Sequence, residues 1–337
     1  MSREIQRHVR PIWPDTGYVV ETAHAIVNPA SGSGRPARAW PALKRRLETL
    51  GLRVEEEHTS GLGDATLIAR QLLQRGAREL IVVGGDGTLN EVVNGYLGPD
   101  GQPIARDAVL TIVPCGTGRD FPRLFGITRP EQVVSLLRDG EVCRVDVGVV
   151  EYRSPSGHPE RRYFVNMADV GLGAETAAWV SQSAKMFGGF LAYLLGAART
   201  ILRYRSRPLE LRVDGDPVHR GPALMVALAN GRFHAGGMRI APMASVTDGM
   251  LEVFILHDVS RWQLLTSLLP AVYRGGHIGH PAVQHWQARR VTIHAPEPLR
   301  IELDGEQPGF TDVTASVLPR AVAFRVPRGT CEGMGRG

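Results

Sequence analysis

The sequence predicts an α/β N-terminal domain built on a mainly parallel sheet, joined to a β-rich, antiparallel C-terminal domain. Three observations carry this reading. From residue 22 to about 145, short apolar runs alternate with helical patterns, as βα units of a parallel sheet do. After about residue 150 the segments become closely spaced and strand-like: RYFVNMADVG, LELRVDGD, ALMVALANG, MLEVFIL, RVTIHA, LRIELDGE and AVAFRVP. The length of 337 residues exceeds one comfortable core at roughly 150 residues per domain. The expected domains are 22–145 and 146–327, with 1–21 and 328–337 as flexible ends.

Taken in order, the first twenty residues carry charges, two prolines and no apolar stretch, so no secretory leader is expected. Strands are expected at Ala23–Val27, Arg53–Glu57, Leu80–Val83, Ala108–Val113 and Val142–Val149. The helical patterns between them are Ala37–Leu50, Gly63–Gly76, Leu89–Gly95 and Pro130–Asp139. The loops after the first four strands read NPASGSGR, TSGLGDA, GGDGT and PCGTGRD. Ligands bind at the carboxyl ends of open parallel sheets, so these loops should converge on one crevice.

Composition excludes several classes. Hydrophobic residues at 43% and charged residues at 22% are ordinary for a folded domain. Three widely spaced cysteines, Cys115, Cys143 and Cys331, suggest neither a disulfide framework nor a zinc site, and fit a reducing cytoplasm. The net charge of +5 and pI of 9.4 are compatible with an anionic membrane surface but equally with an arginine-rich composition. Lysine occurs only at positions 44 and 185, in neither a GxxxxGK[ST] loop nor a VAIK strand. Walker-type and protein kinases depend on such a lysine, so both are disfavoured.

The chemistry centres on the turn Gly84-Gly85-Asp86-Gly87-Thr88, between a buried strand and a helix. Glycines let a backbone approach a polyphosphate, and the helix start offers free N–H groups and the positive end of a dipole. Asp86 suits a magnesium ion or water-mediated phosphate contact. The turn alone is equally compatible with a tight βα corner capped by Asp or Thr. Two sister loops follow strands in the same way: Asn28-Pro29-Ala30-Ser31-Gly32, and Pro114-Cys115-Gly116-Thr117-Gly118-Arg119-Asp120.

The succession NPASG, GGDGT and PCGTGRDF, continued by FVNMADVGLGAE, ALANGRFHAGGMRIAPMASVTDGMLEV and IELDGE, resembles the diacylglycerol kinase catalytic-domain family, which includes bacterial lipid kinases and sphingosine kinases. The likeness covers nearly the whole chain after residue 22. GGDG turns also occur in NAD kinases and phosphofructokinases, whose nucleotide fold is related; the later motifs separate them. The resemblance implies that ATP is bound by Asn28, Pro29, Ala30, Ser31 and Gly32, by Thr59, by Gly84, Gly85, Asp86, Gly87, Thr88, Leu89 and Asn90, and by Thr117. It implies a structural Mg²⁺ held by Asp248 with backbone groups of Ser245 and Met250, linked through water toward Asp86 and Asp120. It places the catalytic base at Glu306, with Asp304 as its understudy. The acceptor would be a lipid, most simply diacylglycerol going to phosphatidic acid; a sphingoid base or ceramide is the alternative. The resemblance further implies a cytoplasmic protein in peripheral contact with an anionic inner membrane surface, without nucleic acid, and allows a homodimer. A kinase of a soluble acceptor such as NAD, and a non-catalytic nucleotide-dependent membrane-docking protein, are the competing classes.

Other features are less specific. Val213-Asp214-Gly215-Asp216 repeats the LDGE pattern, and both read as hairpin turns. Arg119 and Pro122 stand where the family commonly has Asn and Ala; the arginine either contacts phosphate or points outward. Met186–Leu202 has apolar residues at helical spacing, and reads as a buried helix before a membrane-docking one. His277, His280 and His285 are interrupted by Gly and Pro and lack carboxylate partners, so they are not expected to bind metal.

Overall fold

The computed structural model describes residues 22–187 and 198–334. Four parallel strands open the chain: β1 (Thr22–Val27), β2 (Arg53–His58), β3 (Glu79–Gly84) and β4 (Val109–Pro114), ordered β4-β3-β1-β2. β3 and β4 are buried at every position, as apolar strands covered on both faces must be. Helices α1 (Ser31–Thr49), α2 (Asp64–Gln74) and α3 (Asp86–Tyr96) connect them, each within a few residues of expectation. α3 begins three residues earlier than its apolar pattern suggests, so Asp86 lies in its first turn. The first residues of α1 are helical only by connection, because Gly32, Ser33 and Gly34 have left-handed backbone angles.

After α4 (Asp120–Arg123) and α5 (Val133–Asp139) the topology changes. The strand expected at Val142–Val149 is β5 (Glu141–Arg153). It runs antiparallel to β14 (Phe310–Val326) and to β6 (Pro159–Phe164) instead of extending the parallel set. β14 also meets β4 in parallel, Phe324 opposite Leu110, so the last long strand packs back on the N-terminal sheet. Arg325 on β14 reaches the buried Glu79 of β3 at 2.6 Å, and Thr111 of β4 donates to the same carboxylate.

The remaining strands are β7 (Met167–Gly171), β8 (Arg207–Val213), β9 (Asp216–Ala229), β10 (Leu251–His257), β11 (Val283–Ala288), β12 (Arg290–His294) and β13 (Ile301–Leu303). They pair antiparallel, in the path β11-β10-β9-β8-β12-β14, with β7 bridging β9 and β13. Helix α6 (Leu172–Phe187) follows β7, and helical residues Arg261–Val272 follow β10. The middle of the expected Met186–Leu202 helix and the expected loose arm 1–21 lie outside the described residues.

One expectation is overturned. Cys143 of β5 and Cys331 of the short helix Thr330–Met334 form a disulfide, leaving Cys115 free and buried. The 188-residue separation carries no local signal of this pairing; β14 creates it by returning the C-terminus to the start of β5.

Candidate active site

Three strand-end loops meet because glycines let their backbones touch. A Cβ at Gly32 would lie 2.0 Å from the Cys115 carbonyl oxygen, and one at Gly116 would lie 2.4 Å from the Cα of Gly85. No side chain fits in either place. Asn28 fastens the assembly: its amide Nδ2 donates to Thr88 Oγ1 at 3.0 Å, while its Oδ1 accepts from the N–H groups of Ala30 and Ser31. Thr59, at the end of β2, is buried and donates its N–H to Val27.

Asp86 accepts from the backbone N–H groups of Asp120 at 3.3 Å and Phe121 at 3.2 Å. Burial and the neighbouring Asp120 push its carboxyl above the usual range. Asp120 is 4% exposed, and its Oδ2 accepts from the Gly236 N–H at 2.8 Å while Arg123 lies 3.7 Å from its Oδ1. Arg119 takes left-handed backbone angles, where Asn is more comfortable than Arg. Its guanidinium donates to the Thr128 carbonyl at 3.0 Å.

Asp86, Thr117, Gly118 and Asp120 form one end of a cavity of about 830 Å³. Its other end is walled by Leu172, Ile201, Met225, Ile240, Phe254 and Leu268 among other apolar side chains. The same lining includes three residues absent from the expected site, Asp169, His234 and Glu302, joined to the nucleotide side where the Gly236 N–H reaches Asp120. They are the cluster of potential metal ligands found among the described residues, and they come from FVNMADVGLGAE, ALANGRFHAGGM and IELDGE, motifs far apart in the chain.

The LDGE and VDGD turns share their backbone: Asp304 and Asp214 both have φ 48, and Gly305 and Gly215 both have φ 97. Surroundings separate them. Asp214 is exposed and accepts from Arg289 and Arg290. Asp304 is 8% exposed, lines the cavity, and accepts from the Asn90 amide (2.8 Å) and the N–H groups of Val165 (2.7 Å), Asn166 (3.0 Å) and Met167 (2.9 Å). Burial nevertheless pushes it up to about 6. Glu306 is not among the cavity-lining residues and pairs with Arg162 at 2.8 Å.

Some expected ATP contacts face elsewhere. Leu89 is a core residue, and the Asn90 amide is spent on Asp304 and the Tyr163 carbonyl. Ser245, Asp248 and Met250 form a separate loop: Met250 N–H donates to Asp248 Oδ1, and the buried Asp146 accepts from Gly249 and Arg320 N–H groups. His277, His280 and His285 each bond separately, to Ile240, Ala282 and Glu252.

Glycine-built loops at a parallel sheet's carboxyl ends, opening onto acidic groups and an apolar chamber, define a phosphotransferase of the NAD kinase-related fold class. Residues 22–150 match the diacylglycerol kinase catalytic domain, and residues 166–326 match the YegS C-terminal NAD kinase beta sandwich-like domain. A Staphylococcus carnosus protein named diacylglycerol kinase is 30% identical over 91% of this chain and 95% of its own length. The chain belongs to the diacylglycerol kinase family, and it is a kinase. A solved diacylglycerol kinase structure from Bacillus anthracis shares the fold, with a TM-score of 0.65 at 21% identity, covering 92% of this chain and 98% of that one. Yeast NADH kinase complexed with NADH superposes at 0.50 with 12% identity, over 94% and 86% of the two chains.

Proposed function

We propose that the protein transfers the γ-phosphoryl of ATP to a lipid hydroxyl, with diacylglycerol the favoured acceptor and phosphatidic acid the product. The observation that carries this is the cavity: its acidic, glycine-lined end meets a chamber of aliphatic and aromatic side chains. A hydroxyl joined to acyl chains has that same polarity, whereas a soluble acceptor such as NAD would leave the apolar wall uncovered. The name of the Staphylococcus carnosus relative supports the same acceptor.

Backbone N–H groups of the Gly84–Thr88 turn, at the start of α3, would hold phosphate oxygens. Glu306 would take the hydroxyl proton. The Ser245–Met250 loop suits Mg²⁺ through the exposed Asp248 carboxylate, whose Oδ1 accepts the Met250 N–H. Asp248 with backbone groups of Ser245 and Met250 would hold the ion, which would supply counter-charge. No helix among the described residues is long and apolar enough to cross a membrane. Exposed Trp262 and Leu202, beside the cavity-lining Leu264 and Ile201, support peripheral contact with a bilayer.

The test is Asp86→Ala. It should abolish ATP-dependent lipid labelling, by 100-fold or more on the order expected for a phosphate-site carboxylate, while leaving the thermal unfolding profile in place. A folded variant with full activity would refute the assignment.

A further inference from the structure

The described lining of the cavity carries five carboxyl groups, Asp86, Asp120, Asp169, Glu302 and Asp304, and neither lysine nor arginine. A triphosphate entering this end would meet these carboxyl groups beside the glycine-loop N–H groups, yet phosphoryl transfer spreads negative charge over the moving group. The two histidines of the lining are therefore its available organic cations. His277 sits in the apolar half, its Nε2 bonded to the Ile240 carbonyl, and burial holds it below the usual histidine range. His234 is different on each count.

The loop that carries His234 is fixed to the nucleotide side. His234 and Met238 exchange backbone hydrogen bonds of 2.9 Å around Ala235-Gly236-Gly237, and the Gly236 N–H donates to Asp120. Ala235 has φ 49, a left-handed angle that a non-glycine residue keeps only where neighbours enforce it. The ring's Nε2 lies 3.2 Å from Glu302 Oε2, which leaves Nδ1 as the nitrogen available to a bound group. Glu302 is 1% exposed and Asp169 likewise 1%, so the carboxylate under the ring is a desolvated one.

Resting on the lipid kinase reading above, we propose that His234, seated on Glu302, is the side chain that contacts the phosphoryl group as it passes from nucleotide to acceptor. In that step the acceptor oxygen forms its bond to phosphorus, and the bond from phosphorus to the β-phosphate bridging oxygen breaks. ADP carries away that electron pair, and the hydroxyl proton goes to the base; His234 contributes only charge and a hydrogen bond. It thus takes the part that the lysine of other kinases plays. The groups facing it are Glu302, Asp169, Asp120 and Asp304, with Arg123 packed against Gly237 of the same loop, 3.7 Å from Asp120 and bonded to the Gly118 carbonyl. Burial would lower its pKa, but the Glu302 carboxylate 3.2 Å from Nε2, with Asp120 and Asp304 beyond it, outweighs burial and favours the charged ring. Against its burial, Glu302 is held down at about 2 by His234, while burial and Glu302 push Asp169 well up.

The experiment compares wild type with His234→Gln and His234→Lys in lipid phosphorylation, and in binding of ADP with and without aluminium fluoride, a mimic of the transferring phosphoryl group. His234→Gln should lower kcat on the order of 100-fold and weaken the fluoride complex similarly, with ADP affinity unchanged. His234→Lys should regain at least about a tenth of wild-type kcat, since a cation is restored. If His234→Gln stays within threefold in both assays, or loses ADP affinity as much as mimic affinity, the proposal is wrong. A tightly held transition metal in purified wild type, lost in His234→Gln, would also overturn it by making the trio a metal site. If wild type labels no lipid but the mimic is still selectively weakened, the acceptor reading fails and the His234 assignment stands.

Discussion

Arg162 and Glu306 form an ion pair of 2.8 Å that keeps the Glu306 carboxylate off the cavity wall lined by Asp304. The two acids of LDGE are thus committed differently. The Asp304 carboxylate accepts four hydrogen bonds, whereas Glu306 has a single partner that a bound acceptor could displace. Glu306→Gln should lower kcat by about 10²- to 10⁴-fold, the range for losing a general base, with the KM for lipid within a few-fold. A kcat near wild type would remove Glu306 as the proton acceptor.

The Arg325–Glu79 pair joins β14 to the parallel strands with both side chains buried. Removing one partner strands the other's charge, so Arg325→Ala should cost about 3–5 kcal/mol in urea unfolding. The double replacement Glu79→Gln with Arg325→Met should recover much of that loss. Additive losses in the double variant would contradict the coupling.

Pairing of Cys143 with Cys331 leaves one thiol. Protein denatured without reductant should therefore react with one equivalent of thiol reagent, at Cys115, and with three after reduction. Three equivalents before reduction would mean the bond is absent.

The His234–Glu302 pair couples stability to pH. His234 is raised to about 9, so its contribution is complete below the unfolded value near 6.5 and is lost as pH rises through 9. Glu302 is lowered to about 2, so its contribution is present above about 4.5 and is lost as pH falls through 2. Wild type should lose on the order of 2 kcal/mol more than His234→Gln between pH 6.5 and 10. Parallel pH curves for the two proteins would show that the ring is neutral in the native state.

The sequence by itself determined the succession of βα units and the three glycine loops at their strand ends. Period-2 and period-3.6 apolar patterns and glycine spacing are local properties, and local backbone obeys them. Local pattern could not separate Asp214 from Asp304, and only the resemblance's order of motifs favoured the later one, because identical turns differ only in what other strands bring over them. Nor did it show that Glu302 sits under His234, that Cys143 meets Cys331, or that β14 returns to β4. Each of those contacts joins residues about 70 or more positions apart, brought together only when the strands choose their neighbours. Burial then decides the chemistry. The same carboxyl group is a solvated turn residue at Asp214 and a raised, hydrogen-bonded acid at Asp304, because desolvation depends on the packed whole.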